Sequence, residues 1–106
     1  MYAIVDIETT GGYASANGII EISIQVFDGE KVTEQFETLI NPNQHIPKYI
    51  QAFTGITNEM VSGAPAFEEV AEKIFTCLQG NIFVAHNVNF DFSFIKSHLD
   101  YCGLYS

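Results

Sequence analysis

Branched aliphatic residues occupy every second position from Ile20 to Val26, and this spacing constrains the fold more than any other feature of the sequence. Side chains two positions apart point to the same side of an extended chain. The alternation therefore predicts a strand over residues 19–27 with one face in a core. Hydrophobic residues form 47% of the 106 positions, so the chain can fill such a core.

Two further strands are predicted around this one. Residues 2–8 are mainly apolar and end at a Thr-Thr-Gly-Gly turn. Residues 31–40 follow an Asp28-Gly29 pair, which is typical of tight hairpins. The chain therefore opens with an antiparallel meander of three strands.

The rest of the chain alternates between helix and strand. Short helical segments are expected over residues 48–53 and after Thr57. One-sided apolar spacing predicts a longer helix over residues 67–78. A short buried strand over 82–85, parallel to the first, and a second helix over 90–101 are predicted to follow. This order predicts an α/β fold in which helices pack on a mixed sheet.

The net charge of −9 comes from 13 acidic and 4 basic residues. A passive nucleic-acid-binding protein is expected to be basic, so the charge argues against that class but leaves metal-assisted binding open. No apolar run approaches the roughly 20 residues of a membrane span, and the N-terminus lacks the features of a signal peptide. We therefore expect a cytoplasmic protein without a membrane partner, in which Cys77 and Cys102 are reduced thiols.

Asp6 and Glu8 are the first candidates for chemistry. They lie two positions apart on a predicted strand, so their carboxylates leave the same face about 6 to 7 Å apart. Carboxylates on a central strand must be paired, protonated or bound to metal, and 4 basic residues are too few to pair them by default. A hard divalent cation would satisfy them. The alternative is a strand end in contact with water, and this pair alone does not decide between the two.

Asp91 is the second candidate, in the first turn of a predicted helix. Acids there interact favourably with the helix dipole, so capping is the simplest interpretation. However, α/β sheets place their sites where parallel strands end, so Asp91 could approach Asp6 and Glu8. Three carboxylates at one site would need about two divalent cations, the arrangement that clamps the attacking and leaving oxygens in phosphoryl transfer.

The residues around these acids resemble two motifs of one family. The segment Asp6-Ile7-Glu8-Thr9-Thr10-Gly11 resembles the first exonuclease motif of the DnaQ-like family, a DEDD group. The segment His86-Asn87-Val88-Asn89-Phe90-Asp91 resembles its second motif, and Gly55-Ile56-Thr57 resembles part of the region between them. The family includes the proofreading epsilon subunit of bacterial DNA polymerase III. The resemblance runs through essentially the whole chain in the right order.

The resemblance implies a ribonuclease H-like fold and 3′→5′ removal of nucleotides from nucleic-acid ends with two divalent cations, Mg²⁺ or Mn²⁺. Asp6, Glu8 and Asp91 match three of the family's four catalytic, metal-binding acids. Residues of both motifs would line the terminal nucleotide, namely Thr9, Thr10, Gly11, His86, Asn87 and Phe90. Core packing of Phe90 and a hydrogen-bonded turn at His86 remain alternatives.

The family's third motif, a general-base histidine followed by a fourth acid, has no match here. His98 lies inside a predicted helix, and five residues later the chain has Gly103 rather than an acid. We therefore expect residues 1–106 to be the N-terminal part of a single exonuclease domain of the DEDDh type, truncated before its last strand and helices and nearly inactive alone. An open sheet edge beside residues 82–85 would then favour a homodimer.

The resemblance leaves the substrate and the surrounding protein open. The expected partner is nucleic acid with a 3′ end, DNA rather than RNA, in proofreading or repair, with a polymerase or fused nuclease or helicase domains as neighbours. Two alternatives remain, an RNA-trimming enzyme of the same family and a non-catalytic partner-binding domain that retains the acids. Glu21, an acid within the second strand, either supports the site or only faces solvent.

Overall fold

The computed structural model describes residues 1–104, in which four strands form one mixed sheet. The strands are β1 (Tyr2–Thr9), β2 (Ile19–Phe27), β3 (Val32–Leu39) and β4 (Ile82–Val84). Their order across the sheet is β3-β2-β1-β4. Neighbours in the meander are antiparallel, whereas β4 lies parallel to β1. The predicted meander and the predicted parallel strand are both confirmed.

Four helices complete the described part of the chain. They are α1 (Lys48–Thr54), α2 (Asn58–Ser62), α3 (Phe67–Leu78) and α4 (Val88–Tyr101). The bounds of α3 are those predicted. The chain leaves α3 through Gly80, whose φ of 77° is the left-handed conformation that glycine adopts after helix ends. The predicted α/β architecture is therefore confirmed.

The main core lies between one face of the sheet and helices α3 and α4. Its fully buried side chains include Ile22, Ile24, Ile74, Phe94 and Leu99. On β1 the core takes the odd-numbered positions Ala3, Val5 and Ile7. Because successive side chains of a strand alternate between faces, Asp6 and Glu8 lie on the other face.

A register shift separates Glu8 from Thr9 in the pairing of β1 with β2. Such a bulge turns the residues around it toward new sides of the sheet. Ile20 consequently leaves the main core, where the alternating pattern had placed it, and Ile19 takes a position there instead. Ile20 joins a second buried cluster that contains Ile46, Ile56 and Val61.

This second cluster lies on the same sheet face as Glu8. Glu8 pairs with Glu21 on β2, and Glu21 pairs with Leu39 on β3, so the three side chains share a face. Leu39 and Ile50 of α1 both pack against the second cluster. Helices α1 and α2 therefore pack on the sheet face that carries the carboxylates, while α3 and α4 cover the opposite face.

The hairpin between β2 and β3 turns one residue later than predicted. The Asp28 N–H donates to the Lys31 carbonyl at 3.2 Å. The Asp28 carboxylate accepts the N–H groups of Glu30 and Lys31 at 2.8 and 2.9 Å. Asp28 therefore anchors the turn from its first position, and Gly29, with φ of 104°, begins the tight part of it.

Two predictions near the second motif are wrong. β4 is not buried, since Ile82 is 60% and Val84 is 38% exposed. Among the described strands β4 pairs with β1 alone, so its outer edge is not covered by residues 1–104. Helix α4 begins at Val88 rather than Phe90, because the Asn87 side chain accepts the Phe90 N–H at 3.4 Å and caps the helix.

Cys77 is buried, Cys102 is half-buried, and both are free thiols, as predicted. Burial raises the pKa of both groups, which favours the protonated, unreactive form. Within residues 1–104, no helix is both long and apolar enough to cross a bilayer.

Candidate active site

Asp6 and Glu8 project from the face of β1 that the main core does not use. Asp6 is exposed and Glu8 is half-buried. β1 lies between β2 and β4, as predicted for a central strand. On β2, Ser23 lies opposite Asp6, and Glu21 lies opposite Glu8. Neither neighbour is basic, so negative charge accumulates on this face.

A backbone N–H of β1 is free of strand pairing close to these acids. The pairing of β4 with β1 ends at Ile4, opposite Val84. At the other end of β4, the Met1 carbonyl accepts the Ile82 N–H at 2.9 Å, which shows that the odd-numbered backbone groups of β1 face β4. The N–H of Ile7 points to the same side, beyond the last residue of β4.

Asp91 from α4 accepts this N–H. It lies in the first turn of α4 and is only 6% exposed. Its carboxylate takes a hydrogen bond from Ile7, the residue between Asp6 and Glu8. The structure therefore brings the acid of the second motif to the strand that carries the acids of the first.

Burial raises the pKa of the Asp91 carboxyl, and the Asp6 carboxylate raises it further. The N–H groups of Ile7 and of Asp91 itself, followed by the His86 imidazole, act in the opposite direction. The net effect is a raised pKa, because desolvation and like charge disfavour the ionised form more than the two N–H donors and the charge of His86 favour it.

The same causes act on the neighbouring glutamates. Burial raises the pKa of Glu8, with further contributions from Asp6, Glu21 and Asp91. Burial also raises the pKa of Glu21, followed by the charges of Glu37 and Asp6. Five carboxylates thus act on one another across β1, β2, β3 and α4.

The chemistry of this acidic group suits a hard divalent cation. Carboxylate oxygens are the ligands that Mg²⁺ and Mn²⁺ prefer, and a cation would relieve the mutual repulsion of the acids. No three His, Cys, Asp or Glu side chains of residues 1–104 already lie close enough to form a coordination site. Electrostatic repulsion acts over longer distances than a metal–ligand bond. The carboxylates therefore affect one another's pKa although they are not yet close enough to coordinate one ion. Asp6, Glu8 and Asp91 are the side chains that could hold such a cation.

The Thr9–Gly11 turn follows Glu8 directly. Thr9 is 8% exposed, and its hydroxyl donates to the Gly11 carbonyl at 2.7 Å. Thr10 is 2% exposed, and its N–H donates to the Gly18 carbonyl at 2.9 Å. Gly11 is the most exposed of the three residues. The two threonine side chains support the turn from within, and Gly11 presents it to solvent.

His86, Asn87 and Phe90 lie just before Asp91. His86 and Asn87 are exposed, and Asn87 is the N-cap of α4. Phe90 is half-buried and packs against Phe94, with ring centroids 4.9 Å apart. Phe90 therefore lies at the edge of the main core, the alternative role that its sequence position left open.

Two side chains beside this site were missed by the sequence analysis. Asn17 and Gln44 both contact the Thr10 hydroxyl. The sequence predicts no more than a turn at Asn17, and Gln44 lies in a polar loop 34 positions from Thr10. Neither a motif nor a periodicity connects these residues, so only the folded structure reveals them.

The chain is similar in sequence to curated exonucleases. The 3′-5′ exonuclease DinG of Bacillus subtilis strain 168 is 43% identical over 103 residues, which are 96% of this chain and 11% of that protein. DinG of Staphylococcus aureus strain MRSA252 is 41% identical over 97% of this chain and 12% of its own length. The chain therefore spans a small part of the length of these relatives.

Solved exonuclease structures share the fold. Exonuclease X in complex with 5′ overhanging duplex DNA is 31% identical and has a TM-score of 0.73, over 86% of this chain and 51% of that one. Escherichia coli Exonuclease I in complex with a dT13 oligonucleotide has a TM-score of 0.83, over 99% of this chain and 24% of that one. At 18% identity, this second likeness concerns the fold alone. Together they confirm the predicted ribonuclease H-like arrangement.

A family match covers nearly all of the chain. The family designated RNase_T and described as Exonuclease matches residues 3–104. This span includes both motifs, so the resemblance to DnaQ-like exonucleases is confirmed. The chain belongs to the RNase_T exonuclease family.

Proposed function

We propose that this chain carries the metal-binding part of a 3′→5′ exonuclease that hydrolyses terminal phosphodiester bonds of DNA. The observation that carries the proposal is the approach of Asp91 to β1 between Asp6 and Glu8. The names of the DinG relatives support the direction of cleavage. The DNA bound to Exonuclease X supports the class of substrate.

Asp6, Glu8 and Asp91 would hold two divalent cations, Mg²⁺ or Mn²⁺. When bound, these ions supply positive charge that activates a water molecule and stabilises the leaving 3′-oxygen. The task of the protein is to present the three acids in fixed positions. β1 sets the spacing of Asp6 and Glu8, and the Ile7 N–H orients Asp91.

The terminal nucleotide is proposed to lie between the Thr9–Gly11 turn and the start of α4. On the turn, Gly11 is half-buried and offers the most accessible backbone of the three residues. Thr10 contributes by holding the turn, because its hydroxyl is engaged within the protein. At the start of α4 the proposed contacts are His86, Asn87 and the exposed edge of Phe90.

The charge of the chain favours cation-mediated binding of DNA. All four basic residues are lysines. Lys73 lies 2.6 Å from Glu34, and Lys96 lies 2.9 Å from Asp100. Since few lysines are left to contact phosphates, divalent ions and other parts of the protein must supply most of the attraction. We propose that residues 1–106 are the N-terminal part of one exonuclease domain whose general-base histidine lies elsewhere in the protein.

Cleavage of matched substrates tests this function. Single-stranded DNA and RNA of one sequence, labelled at the 5′ end, are incubated with the full-length protein and Mg²⁺, Mn²⁺ or a chelator. We expect stepwise shortening from the 3′ end, faster for DNA and absent with the chelator. Asp6→Asn should abolish it, while Asp100→Asn, the same chemical change in an exposed ion pair, should not.

Two other results of this assay would each favour one of the alternative functions. Faster shortening of RNA would identify an RNA-trimming enzyme of the same family. Absence of cleavage, together with Mn²⁺ binding in calorimetry that does not depend on Asp6, would identify a non-catalytic binding domain.

A further inference from the structure

A hydrogen-bond network centred on one buried hydroxyl holds the turn that follows Glu8, and its outer member, Gln44, is exposed. Its centre is the Thr10 hydroxyl, in a side chain that is 2% exposed. The hydroxyl oxygen lies 2.6 Å from Gln44 Oε1 and 3.0 Å from Asn17 Oδ1. It also accepts the Gly18 N–H at 3.0 Å. Two segments of the chain therefore meet at one hydroxyl group, the loop that contains Thr10, Asn17 and Gly18 and the distant segment that contains Gln44.

The number of protons defines how this network is connected. A hydroxyl donates one hydrogen and accepts two. The Gly18 N–H fills one acceptor position, and the single hydroxyl hydrogen is shared between the carboxamide oxygens of Gln44 and Asn17. Asn17 already donates through Nδ2 to the Tyr13 carbonyl at 2.9 Å, which leaves its oxygen to accept from Thr10. Gln44 accepts through Oε1 at 2.6 Å, the shorter of the two contacts, so it is the stronger partner of the hydroxyl hydrogen.

Two glycines allow these segments to approach closely. A Cβ atom on Gly11 would lie 2.6 Å from Asn17 Oδ1, so glycine is required for Asn17 to reach Thr10. A Cβ atom on Gly18 would lie 2.8 Å from the ring of Pro42, two residues before Gln44. These close approaches fix the loop of residues 11–18 against the segment that leads from β3 to α1.

Thr10, the centre of the network, lies two residues after Glu8 and is separated from it by the β-bulge. After the register shift between Glu8 and Thr9, one more ladder pair joins Thr9 to Ile19, and Thr10 lies just beyond it. Thr10 exchanges two hydrogen bonds with Gly18, because its N–H donates to the Gly18 carbonyl and its hydroxyl accepts the Gly18 N–H. The turn that follows Glu8 is therefore anchored by residues outside β1.

We propose that Gln44 and Asn17 are positioning residues that act through Thr10 to orient Glu8 and the Thr9–Gly11 turn for metal and substrate. The proposal deepens the exonuclease function proposed above and rests on it. Gln44 is the decisive member, because it brings a distant segment, rather than a neighbour in the same loop, to the buried hydroxyl.

Replacement of Gln44 by a residue of similar size tests this role. Gln44→Met removes the amide and keeps most of the volume, and Gln35→Met makes the same change at an exposed position of β3. In the full-length protein we expect Gln44→Met to lower kcat on single-stranded DNA about tenfold with little change in KM, while Gln35→Met matches the wild type. We also expect Mn²⁺ affinity, measured by calorimetry without substrate, to fall severalfold.

Two further measurements separate positioning from general destabilisation. Hydrogen exchange at the Gly18 amide should become faster in Gln44→Met, while the melting temperature of the metal-free protein stays within a few degrees of the wild type. In a double-mutant cycle, Thr10→Val should add little to the loss caused by Gln44→Met, because the two residues act as a unit.

The result that would overturn the inference is Gln44→Met with wild-type kcat and wild-type Mn²⁺ affinity, or losses that add fully to those of Thr10→Val. A wild-type protein that binds Mn²⁺ through Asp6 but cleaves nothing would instead contradict the proposed function. The Mn²⁺ affinity and the exchange of the Gly18 amide would still decide the role of Gln44.

Discussion

The carboxylate of Asp91 accepts a hydrogen bond from the backbone N–H of Ile7, the residue between Asp6 and Glu8. This contact joins the second motif to the first through the main chain, at an amide that β4 is too short to engage. Asp91 also lies at the start of α4, where the helix dipole favours a negative charge. The capping interpretation and the active-site interpretation of this residue are therefore compatible.

Asp91→Asn should separate structure from chemistry. Asparagine keeps an oxygen that can accept the Ile7 N–H but loses the charge. We expect the melting temperature of the metal-free protein to remain within a few degrees of the wild type or to rise, because repulsion by Asp6 disappears. Mn²⁺ affinity and cleavage should fall at least about 100-fold, the upper end of the loss typical for residues that only support a ligand. A large loss of melting temperature would show that the charge itself stabilises the fold.

The acidic group should make the metal-free protein less stable as the pH rises. The pKa values of Glu8, Glu21 and Asp91 are raised in the folded state. Their contribution to stability is therefore fully present below the ordinary values of about 4 and is lost as the pH rises through the raised values. Asp28 and Glu34 have lowered pKa values, so their contribution is instead lost as the pH falls below that range.

Melting curves recorded with chelator and with Mg²⁺ check this expectation. With chelator, the melting temperature should fall between mildly acidic and neutral pH. With Mg²⁺, it should rise at neutral pH and depend less on pH, because a ligand that binds the folded state alone stabilises it. A melting temperature that rises with pH in chelator would contradict the assignment of the repulsion to these acids.

Glu21→Gln should stabilise the metal-free protein. Glu21 lies directly opposite Glu8, and like charges at such positions oppose each other across the strand pair. We expect the free energy of unfolding to increase by about 0.2–1 kcal/mol in urea titrations at neutral pH. Glu30→Gln, an exposed change in the turn between β2 and β3, serves as the control. A decrease for Glu21→Gln would indicate that this carboxylate has a stabilising partner.

The exposed edge at β4 should promote self-association of the chain. Edge strands present unpaired backbone groups, and natural proteins often protect them with charge. Ile82, which is 60% exposed on β4, is therefore a suitable position for lysine. We expect Ile82→Lys to lower the apparent mass in light scattering at high concentration. Val32→Lys, at the opposite edge strand and 44% exposed, should leave the mass unchanged. Equal effects of both substitutions would point to net charge rather than to this edge.

The regular elements could be predicted because local pattern and tertiary environment agree. The bounds of α3 and β2 follow from spacing alone, since each has one apolar side that faces the main core. Ile20 shows where this reasoning fails. Its alternation with Ile22 is regular in sequence, but the bulge that turns it toward the second cluster depends on contacts with residues 46–61, which no local pattern records.

The candidate site also combines features that follow from local sequence with features that depend on the fold. The spacing of Asp6 and Glu8 and the helical position of Asp91 are local properties, so their placement on one strand face and in a first turn could be predicted. The Ile7 N–H and the contact of Gln44 with Thr10 depend on where other elements end or cross. Such supporting contacts have no sequence signature because many side chains can reach a hydroxyl, and only the fold selects which one does.

The three-residue length of β4 has one more consequence. Each residue added to this strand in register would complete another backbone hydrogen bond with β1 and strengthen the sheet. Extension as far as Ile7 would also take the amide that now orients Asp91. Under the proposed function, a more stable sheet and the placement of Asp91 for metal binding therefore place opposite demands on the same few residues after Val84.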